Sequence, residues 1–344
     1  MHLAQATRFS RAVIKYTIFA GIGLFIFYII LSIFTAVVPI LFPPKTPAPT
    51  LAFGKIKKIS YPPYPQVLNY QINTISGNLP TFPTQIKIYK IKKSTPTLYS
   101  LRDVRARVSG QGFSKRETKL SDVLFRWNNE RIPEKSIKYN ILTHEFYISS
   151  NYLNDQSQIP IGNPPSGNKA FTSIINFLGG MGQDLSDIDQ LKNYVFYFKI
   201  ANNSLVRLNN LNEAQVVRID LFQKPIDKID IYYPHLEGST MRFWIAKSNS
   251  YNVNILEAFF KHQQADLSYF ATYPIKSSSQ AFEDLRSNRA FIYNPQNQQN
   301  IVITDSALGY FIGVADQDYL IPIIVFTGKN FKAYVQALPD SVIF

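Results

Sequence analysis

The residues able to do chemistry in this chain are few and widely spaced. The sequence has four histidines, His2, His144, His235 and His262, and no pair of them has the H-x-x-x-H spacing that places two imidazoles on one helical face for zinc. Cysteine is absent, which removes disulfides, thiolate metal sites and a cysteine nucleophile. Asp184, Asp187 and Asp189 in GQDLSDIDQL could hold calcium by number, but the glycine and later glutamate of an EF-hand loop are missing. Helix capping and first-turn acids account for them better. Asp316 and Asp318 in VADQDYL suit a turn. Gly179-Gly180-Met181-Gly182 lacks the Lys-Ser/Thr of a phosphate loop and reads as a helix stop. There is no G-x-S-x-G elbow, and His144 and His235 read as turn and loop residues. Trp127 and Trp244 could line a sugar-binding cleft, although sheet aromatics are more often core. The expectation is no catalytic residue, no cofactor, no metal, and a protein that is not an enzyme. A hydrolase with a dispersed site is the weakest alternative.

One element must position everything else. Tyr16 to Phe42 carries no charged residue. As a helix it would extend about 40 Å, more than the roughly 30 Å of hydrocarbon in a bilayer. A cleavable signal has an apolar run of roughly 7–15 residues and a small-residue cleavage site; this run is longer and ends in Pro-Ile-Leu-Phe-Pro-Pro, so a retained anchor is expected. Arg8, Arg11 and Lys15 precede it with no acid, which predicts a cytoplasmic N-terminus and an extracytoplasmic body on a bacterial cytoplasmic membrane.

Charge is unevenly spread. Twelve of the 36 basic residues lie between Met1 and Arg102, where there is no Asp or Glu; the other 24 face 23 acids. The net charge of +13 therefore belongs to the membrane-proximal part. Topology signalling and a solvated linker explain most of it. A sharper reading places Lys55, Lys57 and Lys58, with Lys87, Lys90, Lys92 and Lys93, on lipid headgroups or wall polymer. No nucleic-acid motif is present.

The rest reads as a folded, sheet-rich body. The expected divisions are a cytoplasmic tail (1–15), a transmembrane helix (16–42), a Pro-rich linker (43–65) acting as a semi-rigid spacer, a first module (66–150), a second (151–228), and hairpins with a last module (229–344). Each module is an amphipathic helix followed by antiparallel strands. The helical faces are Leu98, Leu101, Val104 and Val108; then Ala170, Phe171, Ile174, Ile175 and Leu178; then Ala281, Phe282 and Leu285, opened by the capping-box pair Ser277 and Gln280. QIKIYKI at 85–91 alternates as a strand does. The fold class is α+β, with helices segregated to one face of antiparallel sheets. Pro322 suggests an edge or bulge position, and Gly328-Lys329-Asn330 a hairpin turn.

The last unit resembles bacterial membrane-anchored PepSY-like proteins and the Yyc-type extracytoplasmic regulators. The resemblance rests on about 65 residues: Gln280, Ala281, Phe282 and Leu285 in the helix, then Tyr310, Tyr319, Leu320, Pro322, Phe326 and Gly328 in the strands. These are fold markers, not catalytic residues. The resemblance implies PepSY-like modules and a non-enzymatic role outside the cytoplasm. The expected partners are the lipid bilayer and another envelope protein, for instance a sensor or protease regulated through the span or sheet edges. The alternative is an envelope ligand binder, for wall polymer or peptide.

Overall fold

Alternation of apolar and polar residues dominates the sequence after residue 66, and those runs become strands. The structure, a computed structural model, describes residues 3–41, 47–95, 97, 99–234, 238–249 and 253–344. His2, Phe42, Leu98 and His235 therefore lie outside the described residues. The chain divides into two units, 1–48 and 49–344.

The first unit is helix α1 (Leu3–Leu41). Its stretch Val13–Thr35 is 23 residues long with a mean hydropathy of 2.4, and none of it is buried by the rest of the chain. The hydroxyls of Thr17 and Thr35 donate back to the carbonyls of Val13 and Leu31, both at 2.9 Å. Those bonds remove the polar groups that hydrocarbon would penalise.

The second unit is a mixed α+β body, mostly sheet. In chain order it has β1 (Asn69–Ile72), β2 (Gln85–Ile91), α2 (Ser100–Gly110), β3 (Thr118–Lys119), β4 (Leu124–Asn128), β5 (Ser136–Asn140) and β6 (Phe146–Ser149). Then come α3 (Gly167–Gly180), β7 (Ile188–Ala201), β8 (Ser204–Leu208), β9 (Val216–Gln223), β10 (Ile231–Tyr232), β11 (Met241–Ala246), β12 (Asn254–Phe260) and β13 (Ala265–Pro274). The last stretch holds α4 (Ser278–Arg286), β14 (Phe291–Tyr293), β15 (Asn300–Phe311), β16 (Tyr319–Gly328) and β17 (Phe331–Gln336).

Nine strands make one antiparallel sheet in the order β3-β4-β5-β6-β12-β11-β9-β7-β8. Helices α2 and α3 lie on one face of it. Val104, Val108, Ala170, Ile174 and Leu178 bury against Trp127, Ile137, Ile148, Ile219, Phe243 and Phe260. Eight strands make the other sheet. Its path β1-β15-β16-β17-β14 is extended by β10 beside β15, and by β2 beside the start of β16 with β13 paired to β2. Helix α4 covers it, with Ala281 and Leu285 against Ile303, Ile324, Phe326 and Val335. Ser277 accepts from the Gln280 backbone N–H while the Gln280 side chain accepts from the Ser277 N–H, so the capping box is formed.

Strands of the segments 66–150, 151–228 and 229–344 interleave. Strand β6 reaches β9 only through β12 and β11, and β2 crosses to the second sheet. Pro322 departs from the edge position expected of it. It lies inside β16, opposite Tyr310 in β15. On the other side β16 pairs with β2 through Tyr319 and Leu320, then with β17 from Ile323 onward. The missing N–H thus falls where one neighbour ends and the next begins, and costs no ladder bond there.

Candidate binding groove and the polar junction beside it

The proline-rich segment is a spacer on composition, yet from residue 49 it belongs to the body. An extended proline-rich backbone leaves its N–H and C=O groups unpaired, and here sheet edges and loops pair them. The Leu51 N–H donates to the Thr272 carbonyl at 3.1 Å. The Tyr273 hydroxyl donates to the Gly54 carbonyl at 2.8 Å and accepts from the Phe53 N–H at 3.1 Å. The Ile56 N–H donates to Val342 and the Lys58 N–H to Phe344, both at 2.9 Å. Ile56 is buried while Lys55, Lys57 and Lys58 are exposed, so this stretch presents a lysine edge to solvent.

That edge is one wall of a groove of about 720 Å³. The other wall is the segment from Phe311 to Ile321. Phe53 stacks on Tyr319 with ring centroids 4.7 Å apart. Phe291, Phe311 and Ile321 add apolar surface, and Val314 and Phe344 stand exposed at the lip. The three lysines rim one side; Asp316 and Asp318 rim the other. A concave apolar strip with charges of both signs at its margins fits an extended peptide-like ligand.

Behind the acidic rim lies a polar junction between the sheets. Residues Lys261 to Gln264 connect β12 of one sheet to β13 of the other. Lys261 is buried; its ammonium is 2.9 Å from Glu145 and also bonds Asp316. Burial pushes the Glu145 carboxyl above the usual carboxylate range, partly offset by Lys261. Burial alone would lower the Lys261 ammonium, but its bonds to Asp316 and Glu145 outweigh that and hold it above the ordinary lysine value. His262 Nε2 lies 2.8 Å from Asp187, whose other oxygen accepts from the Gln223 amide at 2.8 Å. This is two-thirds of a triad; among the described residues no Ser or Thr hydroxyl bonds the His262 ring. The junction clamps the groove's acidic wall. Among the described residues no group of three or more His, Asp or Glu is arranged to hold a metal ion.

The structure separates several residues that the sequence places close. Asp184 and Asp189 each cap their own loop, accepting from the N–H of Ser186 at 3.0 Å and of Leu191 at 2.9 Å. No helix starts there, so they are Asx turns at the start of β7 rather than helix caps. Asp316 and Asp318 do lie in the turn between β15 and β16, each bonded to a different lysine, Lys261 and Lys93. Trp127 and Trp244 share no cleft. Trp127 is fully buried under the helices, and Trp244 lies on the opposite face of the same sheet, between Arg218 and Arg242. Gly179 and Gly180 do end α3.

The markers of the last unit are structural. Tyr310 is buried and donates to the Lys87 carbonyl at 2.8 Å, Leu320 and Phe326 are core, and Phe282 packs against Phe326. Gly328 has no left-handed backbone; that conformation falls on Asn330 in the turn. What Gly328 supplies is room: a Cβ there would meet the Val302 carbonyl oxygen at 2.4 Å. The one local sign of the junction in the sequence is the polar run Lys-His-Gln-Gln between two apolar strands.

No family model matches this chain. No curated protein matches it either. Among solved structures it is similar to an uncharacterized protein from Eubacterium rectale, with 12% identity over 78% of this chain and 87% of that one and a TM-score of 0.40, which transfers no function.

Proposed function

We propose that this is a single-pass membrane protein whose body lies outside the cytoplasm and binds another envelope protein without catalysing a reaction. The observation that carries the binding role is the groove between residues 53–62 and 311–321, apolar at its floor and charged at both rims. The uncovered apolar stretch Val13–Thr35 supports the anchor. The basic flank Arg8, Arg11 and Lys15 supports an inside N-terminus. In this reading the bound segment lies extended, with apolar side chains against Phe53 and Tyr319. Helix α4 on its sheet supports a PepSY-like last module, and with it a regulatory rather than enzymatic role.

The test is a photoreactive residue at Val314 in the full chain, irradiated in cell membranes. The expected result is one discrete protein adduct, lost when Lys57 and Lys58 are changed to Glu. Adducts with lipid alone, or none, overturn the reading. The lysine rim favours one second reading, capture of an anionic wall polymer. That reading predicts co-sedimentation with purified wall material, weakened by salt.

A further inference from the structure

The second sheet carries an exposed apolar protrusion beside the end of the groove, where Tyr269 packs edge-on against Phe53 with ring centroids 5.4 Å apart. Strands β2 and β13 pair with a break in register: Asp266 stands opposite Lys90, and Phe270 opposite Tyr89. Leu267, Ser268 and Tyr269 therefore have no cross-strand counterpart and bulge from the ladder. Bulges re-aim side chains in this way. Leu267 is 58% exposed, Tyr269 52% and Phe270 45%. Side chains this apolar on a bulge are costly to leave in water.

Lysines frame them. Lys90 Nζ lies over the Tyr269 ring at 5.3 Å and Lys87 Nζ over Phe270 at 4.9 Å. The carboxylates nearby are already engaged: Asp227 pairs with Lys87 at 3.0 Å, and Asp266 accepts from the Ser268 N–H at 3.0 Å and hydroxyl at 2.6 Å. An aromatic and a leucine at the tip with lysines behind them is the chemistry of a lipid interface. Rings sit among the headgroups, and ammonium groups meet phosphates. The covalent chain favours the same partner. Leu51, also exposed, is hydrogen-bonded to Thr272 just beyond the bulge. Only residues 42–48 separate Leu41 from the first residue of the body, a reach of at most about 29 Å.

We infer that the bulge Leu267–Tyr269, with Phe270, Lys87 and Lys90, is a contact surface for an anionic lipid bilayer, a second membrane attachment beside the helix. This rests on the anchored reading above.

Cysteine is absent from the sequence, so Ser268→Cys in the full chain gives a unique site for an environment-sensitive dye. The protein is reconstituted into vesicles of phosphatidylcholine with phosphatidylglycerol, with Val206→Cys on β8 as the comparison site. The expected result is a blue shift at 268 and none at 206. The shift should be quenched by spin-labelled lipid and reversed in 1 M salt, where the screening length is about 3 Å. Changing Lys87 and Lys90 to Gln should lower the ratio of docked to undocked dye about 30-fold, from two headgroup contacts. Changing Leu267 and Tyr269 to Ser should abolish the shift. No shift at 268, an equal shift in phosphatidylcholine alone, or a shift only in native membranes overturns the inference, the last pointing to a protein partner. Failure of the anchored reading is separate: the chain would then be stripped from the vesicles by alkaline carbonate.

Discussion

The side-chain oxygen of Gln263 accepts the backbone N–H of Gln317 at 2.9 Å, and its amide donates to the carbonyls of Gly313 at 3.1 Å and Ala315 at 3.3 Å. One buried glutamine in the connection between the two sheets thus satisfies three backbone groups of the loop that forms the groove's acidic wall. Gln317 in turn accepts from the Gly313 N–H at 2.6 Å. The loop's shape is held from outside its own hairpin.

Gln263→Ala should therefore loosen the groove wall before it affects either sheet. Leaving buried backbone groups without partners costs about 1–3 kcal/mol. The expected outcome is a stability loss of that size in urea unfolding, with faster amide exchange at Gln317 and unchanged exchange in β9 and β11. Equal acceleration across both sheets would refute the clamp.

Lys261 tests the electrostatics of the same junction. Burial holds the Glu145 carboxyl above its ordinary value, so the unfolded chain loses that proton first. The contribution of Glu145 to stability consequently falls as pH rises through the carboxylate range. Lys261 limits that fall. In Lys261→Met the loss should be about 3 kcal/mol at neutral pH, since one partner of a buried pair is removed. It should shrink below about pH 4, where Glu145 is protonated in both states. Asp316 also bonds Lys261 but is largely exposed, so solvent screens its share of the attraction. Chemical denaturation at neutral pH and at low pH reads both limits; a loss that is constant with pH would exclude this account.

Gly328→Ala places a methyl 2.4 Å from the Val302 carbonyl oxygen, a backbone atom that cannot swing aside. The register of β15 against β16 already shifts between Ile303 and Asp305 at this point. The expected cost is about 1–3 kcal/mol, with exchange rising at Val302 and Ile303. By contrast Asn330→Gly, at a left-handed position (φ 53°), should be neutral or mildly stabilising. Thermal unfolding of the pair distinguishes close approach from turn conformation as the reason for glycine.

Local features of the fold were legible in the sequence because local rules fix them. QIKIYKI alternates, and Ile86 and Ile88 are buried as that pattern requires, while Tyr89 and Ile91 are buried on the other face. Ser277 and Gln280 mark the start of α4 by a bond between neighbours. What escaped were relations between distant positions. Asp187 reads as one of three acids in a row, yet its partners are Gln223 and His262, and no local spacing encodes them. The lysines at 55–58 were legible as a basic edge, but not as a groove wall, because proline density signals an extended backbone without saying what it pairs with. The bulge at Leu267 was hidden for the same reason: register belongs to two strands at once.

The helix Val13–Thr35 should tolerate one charge and fail with two. Each arginine near a span's centre costs about 3 kcal/mol. Leu24→Arg should leave the full chain resistant to alkaline carbonate, since the remaining apolar run is long. Adding Tyr28→Arg, one helical turn on and so on the same face, should release the protein to the supernatant. Extraction of the single variant, or retention of the double, would show that hydropathy of this helix does not hold the chain in the membrane.

Sidedness can be read with a single thiol, since the sequence has none of its own. Val206 on β8 is exposed, on the edge of the nine-stranded sheet away from both the groove and the bulge. Val206→Cys should react with a membrane-impermeant maleimide in intact cells. Ala4→Cys, on the basic side of the span, should react only after lysis, because the lysine and arginines beside it favour the cytoplasm. Labelling in the reverse order would put the groove inside the cell. It would also direct the lysines of the bulge toward the cytoplasmic leaflet, where anionic lipid is held at the surface.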